Sequence, residues 1–440
     1  MSDSKPIRVL VVEDSVVQRK IIQMALEGQP GIEVVGHAEN GKVALERIGE
    51  GDVDVLTLDL EMPVMGGLEV LERLRSTRPT VGAIVVSALS QQGARLTLEA
   101  IRLGAFDLIT KPNAGGDLPA TIERIEQQLL PRVLACGEFV EGRRRRGANR
   151  PAAPRRARPG ALPQPLPGSE DEAPPAPRPS SEATEEARDR TRPGGEEPPA
   201  PLPSSPRTAP NEERRARRPA REAKEPAPAL PSQSAPRRRR PRATAPPELV
   251  VIGSSTGGPT ALDVLFSNLP ADLGVPVLVV QHMPPVFTRT LAESLDRKSA
   301  LHVMEASEGQ AVLPGEALIA PGGQQMRVER SLTEGLRVRL TDDPPERSCR
   351  PSVDYLFRSA SEVTGARTVA AVLTGMGDDG TRGSRLLQPL GARIIAQDEE
   401  TCVVFGMPRL LVTEEIADTV LPLEEIAAAI VAACRGRARR

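Results

Sequence analysis

The sequence predicts an α/β protein: two doubly wound parallel-sheet domains, one near each end of the chain, joined by a long disordered Pro/Arg-rich segment. Three observations carry this. Residues 5–125 alternate short runs of Val, Ile and Leu with segments of helical apolar spacing. Residues 248–436 do the same. Between them, residues 141–247 hold 25 of the chain's 45 prolines, no aromatic residue and no Val, Ile, Met or Cys. Such a stretch cannot bury enough apolar area to offset its ordering entropy.

In the first region, apolar runs near residues 7–12, 32–36, 53–58, 81–87 and 105–109 are short enough for buried strands. Segments such as "VVQRKIIQMALEG" and "GLEVLERLRSTRP" between them have helical spacing. Five alternations imply a parallel sheet with helices on both faces. Ligands of such sheets bind at the carboxyl ends of the strands, so the residues after each run matter most. The second region repeats the pattern with "LVVIG", "VPVLVVQ", "EALIAPG", "TVAAVLTG" and "ARIIAQ", each ending in Gly, Pro or a polar residue.

The net charge of −2 conceals an asymmetry. Residues 141–247 carry 23 Arg and 1 Lys against 14 acidic residues, or +10, so the remainder carries −12. Acidic regions around a basic middle argue against a chain built for nucleic acid, and nucleic acid is not an expected partner. Without aromatic residues to stack on bases, any such contact of the middle segment would be electrostatic. No apolar run is long enough to cross a membrane, and the opening "MSDSKPIRVLVVEDS" does not read as a signal peptide. A soluble, cytoplasmic protein is expected, without membrane insertion. Cys136, Cys349, Cys402 and Cys434 show no metal-type spacing and read as reduced and mostly structural.

Glu13 and Asp14 follow the first run, Asp59 the third, Ser87 ends the fourth, and Lys111 follows the fifth. Strand-end geometry brings these together. Clustered carboxylates call for a hard cation such as Mg²⁺, held by carboxylate oxygens, a carbonyl and waters. A carboxylate there can attack phosphorus while metal and lysine neutralise the phosphoryl oxygens. Ser87 could then hydrogen-bond the new phosphate. Asp14 alone would also suit a helix cap.

The second region opens on "VVIGSSTGG", a strand, a tight turn and a helix start near Pro259. As a G-x-S-x-G elbow it places Ser255 at the exposed tip and Ser254 one step off it. The Thr256 N–H is the first donor for an oxyanion. A phosphate-binding glycine-rich turn fits the same short motif. His282 follows a strand and is the favoured base; His302, in "SALHVMEAS", reads as part of a strand. Asp378 and Asp379 lie in a glycine-rich loop after another buried strand, where an aspartate can fix the imidazole tautomer.

The motifs "VLVVEDS", "LTLDLEMPVMGG", "VVSA" and "GAFDLITKP" resemble the receiver domain of bacterial response regulators. The resemblance implies a flavodoxin-like fold, Asp59 as phosphoacceptor, and Mg²⁺ held by Asp14, Glu13, Asp59 and a carbonyl from Glu61. It makes Phe106 the switch aromatic beside Ser87 and Lys111. The segments "IGSSTGGP", "QHMPPVFT", "CRPSVDYLF" and "LTGMGDDG" resemble the catalytic domain of protein-glutamate methylesterases. That implies a Rossmann-like esterase domain with the triad Ser255, His282 and Asp379, and the Met376 N–H beside that of Thr256 in the oxyanion hole. No cofactor is expected for the esterase.

Taken together, these resemblances imply removal of methyl esters from glutamates of methyl-accepting chemoreceptors, with deamidation of receptor glutamines by the same steps. A chemotaxis histidine kinase is the implied phosphodonor. The competing expectation is a receiver-controlled binding module without hydrolysis. Two departures stand out: Gln325 where the family often has His, and a middle segment far longer than the usual linker. Its length predicts loose coupling of the two folded regions and leaky inhibition by the receiver.

Overall fold

The computed structural model describes residues 5–111, 117–148, 246–333 and 335–435. The first region begins with β1 (Ile7–Val12), α1 (Val16–Leu26), β2 (Ile32–Ala38), α2 (Gly41–Glu50) and β3 (Val55–Asp59). It continues with α3 (Gly67–Thr77), β4 (Gly82–Ser87), α4 (Gln91–Leu103), β5 (Asp107–Thr110) and α5 (Leu118–Ala148). All five strands are parallel, in the order β2-β1-β3-β4-β5. Period-two alternation sorts the side chains. Val9, Val11, Val55, Ile84 and Val86 are buried with α1 and α5 on one face, and Leu10, Val12, Leu56, Leu58 and Val85 are buried on the other.

One expectation is corrected here. The stretch 141–148, expected to open the disordered segment, is the last two turns of α5. Ile125, Leu129, Val133, Cys136 and Val140 form a buried helical stripe that carries the helix past residue 140. Arg144 then anchors it, with Nη1 2.5 Å from Asp54 Oδ1. Composition averaged over 141–247 could not see this local continuation. The rest of that expected segment, residues 149–245, lies outside the described residues.

The second region contains β6 (Leu249–Ser254), α6 (Gly258–Asn268), β7 (Val277–Gln281), α7 (Phe287–Asp296), β8 (His302–Glu305) and β9 (Glu316–Ile319). A hairpin of β10 (Gln325–Ser331) and β11 (Gly335–Thr341) leads to α8 (Val353–Val363) and β12 (Thr368–Val372). The chain then forms α9 (Thr381–Leu390), β13 (Arg393–Gln397), α10 (Met407–Thr413), β14 (Thr419–Leu421) and α11 (Leu423–Cys434). Seven strands form a parallel sheet, in the order β14-β13-β12-β6-β7-β9-β8. The chain winds outward from β6 through β7 and later from β12 through β13. The topological switch point, where such sheets place their sites, is therefore the crevice between β6 and β12. The antiparallel β10–β11 hairpin was not anticipated, although "MRVERS" and "LRVRLT" alternate as strands do.

The apolar cluster on one face of the first sheet continues through Leu98 and Ile101 of α4 to Leu262, Leu265 and Leu291 of α6 and α7. Arg102, at the end of α4, hydrogen-bonds Asp263 at 3.2 Å and also reaches Ser294. No helix among the described residues is long and apolar enough to cross a membrane.

Candidate active site and receiver pocket

The β6–α6 turn is held open by close packing. Gly257 has φ of 79°, and a Cβ on it would lie 2.6 Å from Val403 Cβ. The next loop over, after β12, presses just as closely: a Cβ on Gly375 would lie 2.8 Å from Ser255 Cβ. The two serines receive different environments. Ser254 is fully buried, and its hydroxyl donates to Gln281 Oε1 at 2.7 Å. Ser255 is half-buried at the tip, and its hydroxyl makes no hydrogen bond among the described residues. Its backbone is fixed, with N donating to Thr374 O at 3.0 Å and O accepting from Gln281 Nε2 at 2.9 Å.

His282 follows β7, which pairs with β6, and its N–H donates to Ser254 O at 3.1 Å. The imidazole Nε2 lies 2.8 Å from Asp379 Oδ2. Asp379 follows β12 and sits at the N-terminus of α8. It accepts from Val353 N at 2.7 Å, Asp354 N at 2.8 Å, Gly380 N at 2.9 Å and the Ser352 hydroxyl at 3.0 Å. Burial opposes its ionisation, but His282 and these backbone donors outweigh that and hold its carboxyl below the usual range. Burial likewise disfavours an imidazolium, yet the hydrogen bonds to Asp379 and Cys349 prevail and raise the His282 pKa. Asp378, the other aspartate of the loop, pairs outward with Arg347. His302 opens β8 with an exposed side chain bonded to Asp296.

The N–H groups of Thr256 and Met376 are free of hydrogen bonds among the described residues. Thr256 nevertheless has a partner for its side chain, because its hydroxyl donates to Asp107 Oδ2 of the first region at 2.5 Å. Sequence reasoning missed this contact, and no local pattern marks it. It also missed Ser352, which a helix-cap reading before "VDYLF" would have found. Gln325 is fully buried. Its Nε2 donates to Pro344 O and Cys349 O, and its Oε1 accepts from Ser352 N at 2.8 Å, so it ties the 344–352 loop to β10.

In the first region, Lys111 Nζ lies 2.6 Å from Asp59 Oδ2 and 3.1 Å from Glu13. Glu61 N donates to Asp59 Oδ1 at 3.2 Å, which turns the chain around the carboxylate. Glu13, Asp14 and Asp59 bring carboxylate oxygens within 4.8 Å of one another. Asp14 is exposed. Glu13 is buried, and its Oε2 has no hydrogen bond among the described residues beyond its 3.1 Å ion pair with Lys111. Burial and neighbouring Asp59 push the Glu13 carboxyl up to about 7. Three carboxylates gathered around Lys111 form a set of hard oxygen donors, and that set fits a Mg²⁺ ion. Ser87 is buried with its hydroxyl donating to Gly93 O at 3.3 Å. Phe106 is buried 5.5 Å from the Phe139 ring.

Fold and site define a phospho-receiver-like domain joined to a Rossmann-like domain that carries a Ser-His-Asp constellation at its switch point. The CheB methylesterase family model matches residues 250–430, and the response regulator receiver domain model matches residues 9–123. A protein-glutamate methylesterase/protein-glutamine glutaminase of Desulfotalea psychrophila is 39% identical over 429 residues, covering 97% of this chain and 98% of that protein. One of Moorella thermoacetica is 40% identical over 432 residues, covering 98% and 99%. The crystal structure of the Thermotoga maritima CheB methylesterase catalytic domain is 43% identical, covering 42% of this chain and 98% of that chain at a TM-score of 0.41. The chain belongs to the CheB methylesterase family, with the receiver domain in front.

Proposed function

We infer that the chain is a phosphorylation-controlled protein-glutamate methylesterase that also deamidates glutamine, acting on methyl-accepting chemoreceptors. The observation that carries this is the His282–Asp379 pair, 2.8 Å apart, after the two strands that flank β6, whose end leads directly into Ser255. Asp379 engages Nε2, so Nδ1 is the nitrogen left to act as base. It takes the Ser255 proton as Oγ attacks the ester carbonyl. The Thr256 and Met376 N–H groups receive the oxyanion. The imidazolium, stabilised by Asp379, returns its proton to the departing methoxide, and methanol leaves. Water then hydrolyses the acyl-enzyme by the same proton path. An amide substrate follows identical steps with ammonia leaving. A phosphate-binding turn would leave the His282–Asp379 pair without a task.

Control comes from the receiver. A chemotaxis histidine kinase is the phosphodonor and Asp59 the acceptor. Glu13, Asp14, Asp59 and the Glu61 carbonyl would hold Mg²⁺, which when bound neutralises the phosphoryl oxygens. Lys111 already bridges Asp59 and Glu13 and adds a second positive charge. Ser87 and Phe106 would report the modification towards β5 and Asp107.

The test is methanol release from methylated receptor by the full chain, with and without a small phosphodonor, and by Ser255→Ala. Release that rises with phosphodonor and vanishes in Ser255→Ala supports the reading. Undiminished release by Ser255→Ala would sink it.

A further inference from the structure

Cys349 is not part of the proton path above, yet its sulfur lies 3.5 Å from His282 Nδ1. The thiol, the imidazole and the Asp379 carboxylate offer ligand atoms within 4.8 Å of one another. The cysteine is held there by a built turn. Glu346 and Cys349 exchange backbone hydrogen bonds of 3.1 and 2.8 Å, and Arg347 and Ser348 between them have φ of 49° and 63°. Non-glycine residues rarely adopt this left-handed pair. The turn is pinned on two sides, by Arg347 to Asp378 and by Gln325 Nε2 to Cys349 O.

The spacing has a chemical meaning. A tetrahedral zinc ion with Zn–N of about 2.0–2.1 Å and Zn–S of about 2.3 Å separates its nitrogen and sulfur ligands by about 3.5 Å. Asp379 sits on the other ring nitrogen, where an outer carboxylate orients a metal-binding histidine and raises its basicity. His282 keeps 12% of its side-chain surface exposed and Cys349 is partly exposed, so solvent reaches the site from that side and water can complete the shell of an ion.

We propose that His282 Nδ1 and Cys349 Sγ form an inhibitory binding site for a thiophilic divalent cation such as Zn²⁺. Cys349 binds as thiolate and releases its proton to solvent, and His282 binds neutral while keeping Nε2–H on Asp379. The bound ion occupies the nitrogen that would take the Ser255 proton, so the inhibitory consequence rests on the esterase reading. The binding itself does not.

The experiment uses the tag-free full chain with saturating Mg²⁺, so that the receiver carboxylates are filled. Co²⁺ replaces Zn²⁺ as an optical probe, because only thiolate ligation gives the sulfur-to-cobalt absorption in the near ultraviolet. That band is expected in the wild type and in Cys402→Ala, and is expected to be lost in Cys349→Ala and Cys349→Ser. Zn²⁺ should suppress ester hydrolysis in the wild type, and a chelator should restore it. With each variant normalised to its own metal-free rate, the half-inhibiting Zn²⁺ concentration should rise at least about tenfold in both Cys349 variants. A wild type without the band, or a band that survives both substitutions, overturns the site whether or not the chain hydrolyses esters. Equal zinc sensitivity of wild type and variants overturns the inhibition.

Discussion

The Thr256 hydroxyl donates a 2.5 Å hydrogen bond to the carboxylate of Asp107, joining the turn beside Ser255 to the strand that follows Phe106 in the receiver. Arg132 of α5 shares the same carboxylate oxygen at 3.1 Å. The candidate oxyanion residue is thereby tied to β5, the strand that begins just after Phe106. Cutting the tie should loosen the receiver's hold. Asp107→Ala is expected to raise hydrolysis by the unphosphorylated full chain by about tenfold or more, the scale of one hydrogen bond to a charged group. The gain on adding phosphodonor should shrink in proportion. A variant with an unchanged basal rate would remove this contact from the inhibitory mechanism.

The neighbouring serines separate by environment. Ser255→Ala should abolish methanol release. Ser254→Ala should stay within about tenfold of wild type but lose ~1–3 kcal/mol of stability, because Gln281 Oε1 is left buried without its donor. Thermal unfolding alongside the rate assay checks both halves.

Asp379→Asn keeps the shape of the side chain but not its charge. Loss of the imidazolium partner and of the tautomer it selects should lower kcat by about 10⁴. A steady-state comparison on a small methyl ester would show it. A loss seen only in KM would mean that Asp379 positions substrate instead.

Asp354 offers a pH signature. Burial, with the Asp379 charge nearby, pushes its carboxyl up to about 6. Its native pKa lies above the unfolded value of about 3.9, so the native state holds the extra proton between those limits. Stability should therefore fall as pH rises through that window and stay lower above it. Asp354→Asn, which mimics the protonated form, should be the more stable chain near neutrality, by at most about 3 kcal/mol. The advantage should fade as the pH drops towards 4, the unfolded value. Melting curves across this range decide it.

Mg²⁺ should stabilise the receiver by relieving the packed carboxylates. At about 100 times its Kd the gain is ~2.7 kcal/mol. Asp14→Asn should reduce that gain without touching the His282–Asp379 pair, and chelator titration with a thermal readout measures it.

Much of this protein is legible along the chain, because strand-end placement needs only the order of apolar runs. Glu13, Asp59, Ser87 and Lys111 follow four such runs, and the fold brings them to one end of the sheet as parallel winding requires. Ser255 and His282 are legible by the same logic, which leads to the loop of Asp378 and Asp379 without choosing between them. The long α5 and the β10–β11 hairpin were missed because charge and proline masked a buried stripe in one and alternation was overlooked in the other.

By itself, the sequence determined the two parallel sheets, the strand ends that carry chemistry and the family. Its periodicity sets which faces are buried, and its short motifs set the turns. Tertiary structure alone decided what holds the serine behind the tip, since Gln281, the partner of the Ser254 hydroxyl, lies 27 residues from it along the chain. It also decided that Asp379 and not Asp378 meets His282, that Cys349 lies over the imidazole, and that Asp107 reaches Thr256. Each of these joins residues far apart in the chain. Such contacts follow from how sheets, helices and loops pack, and local spacing carries no record of them.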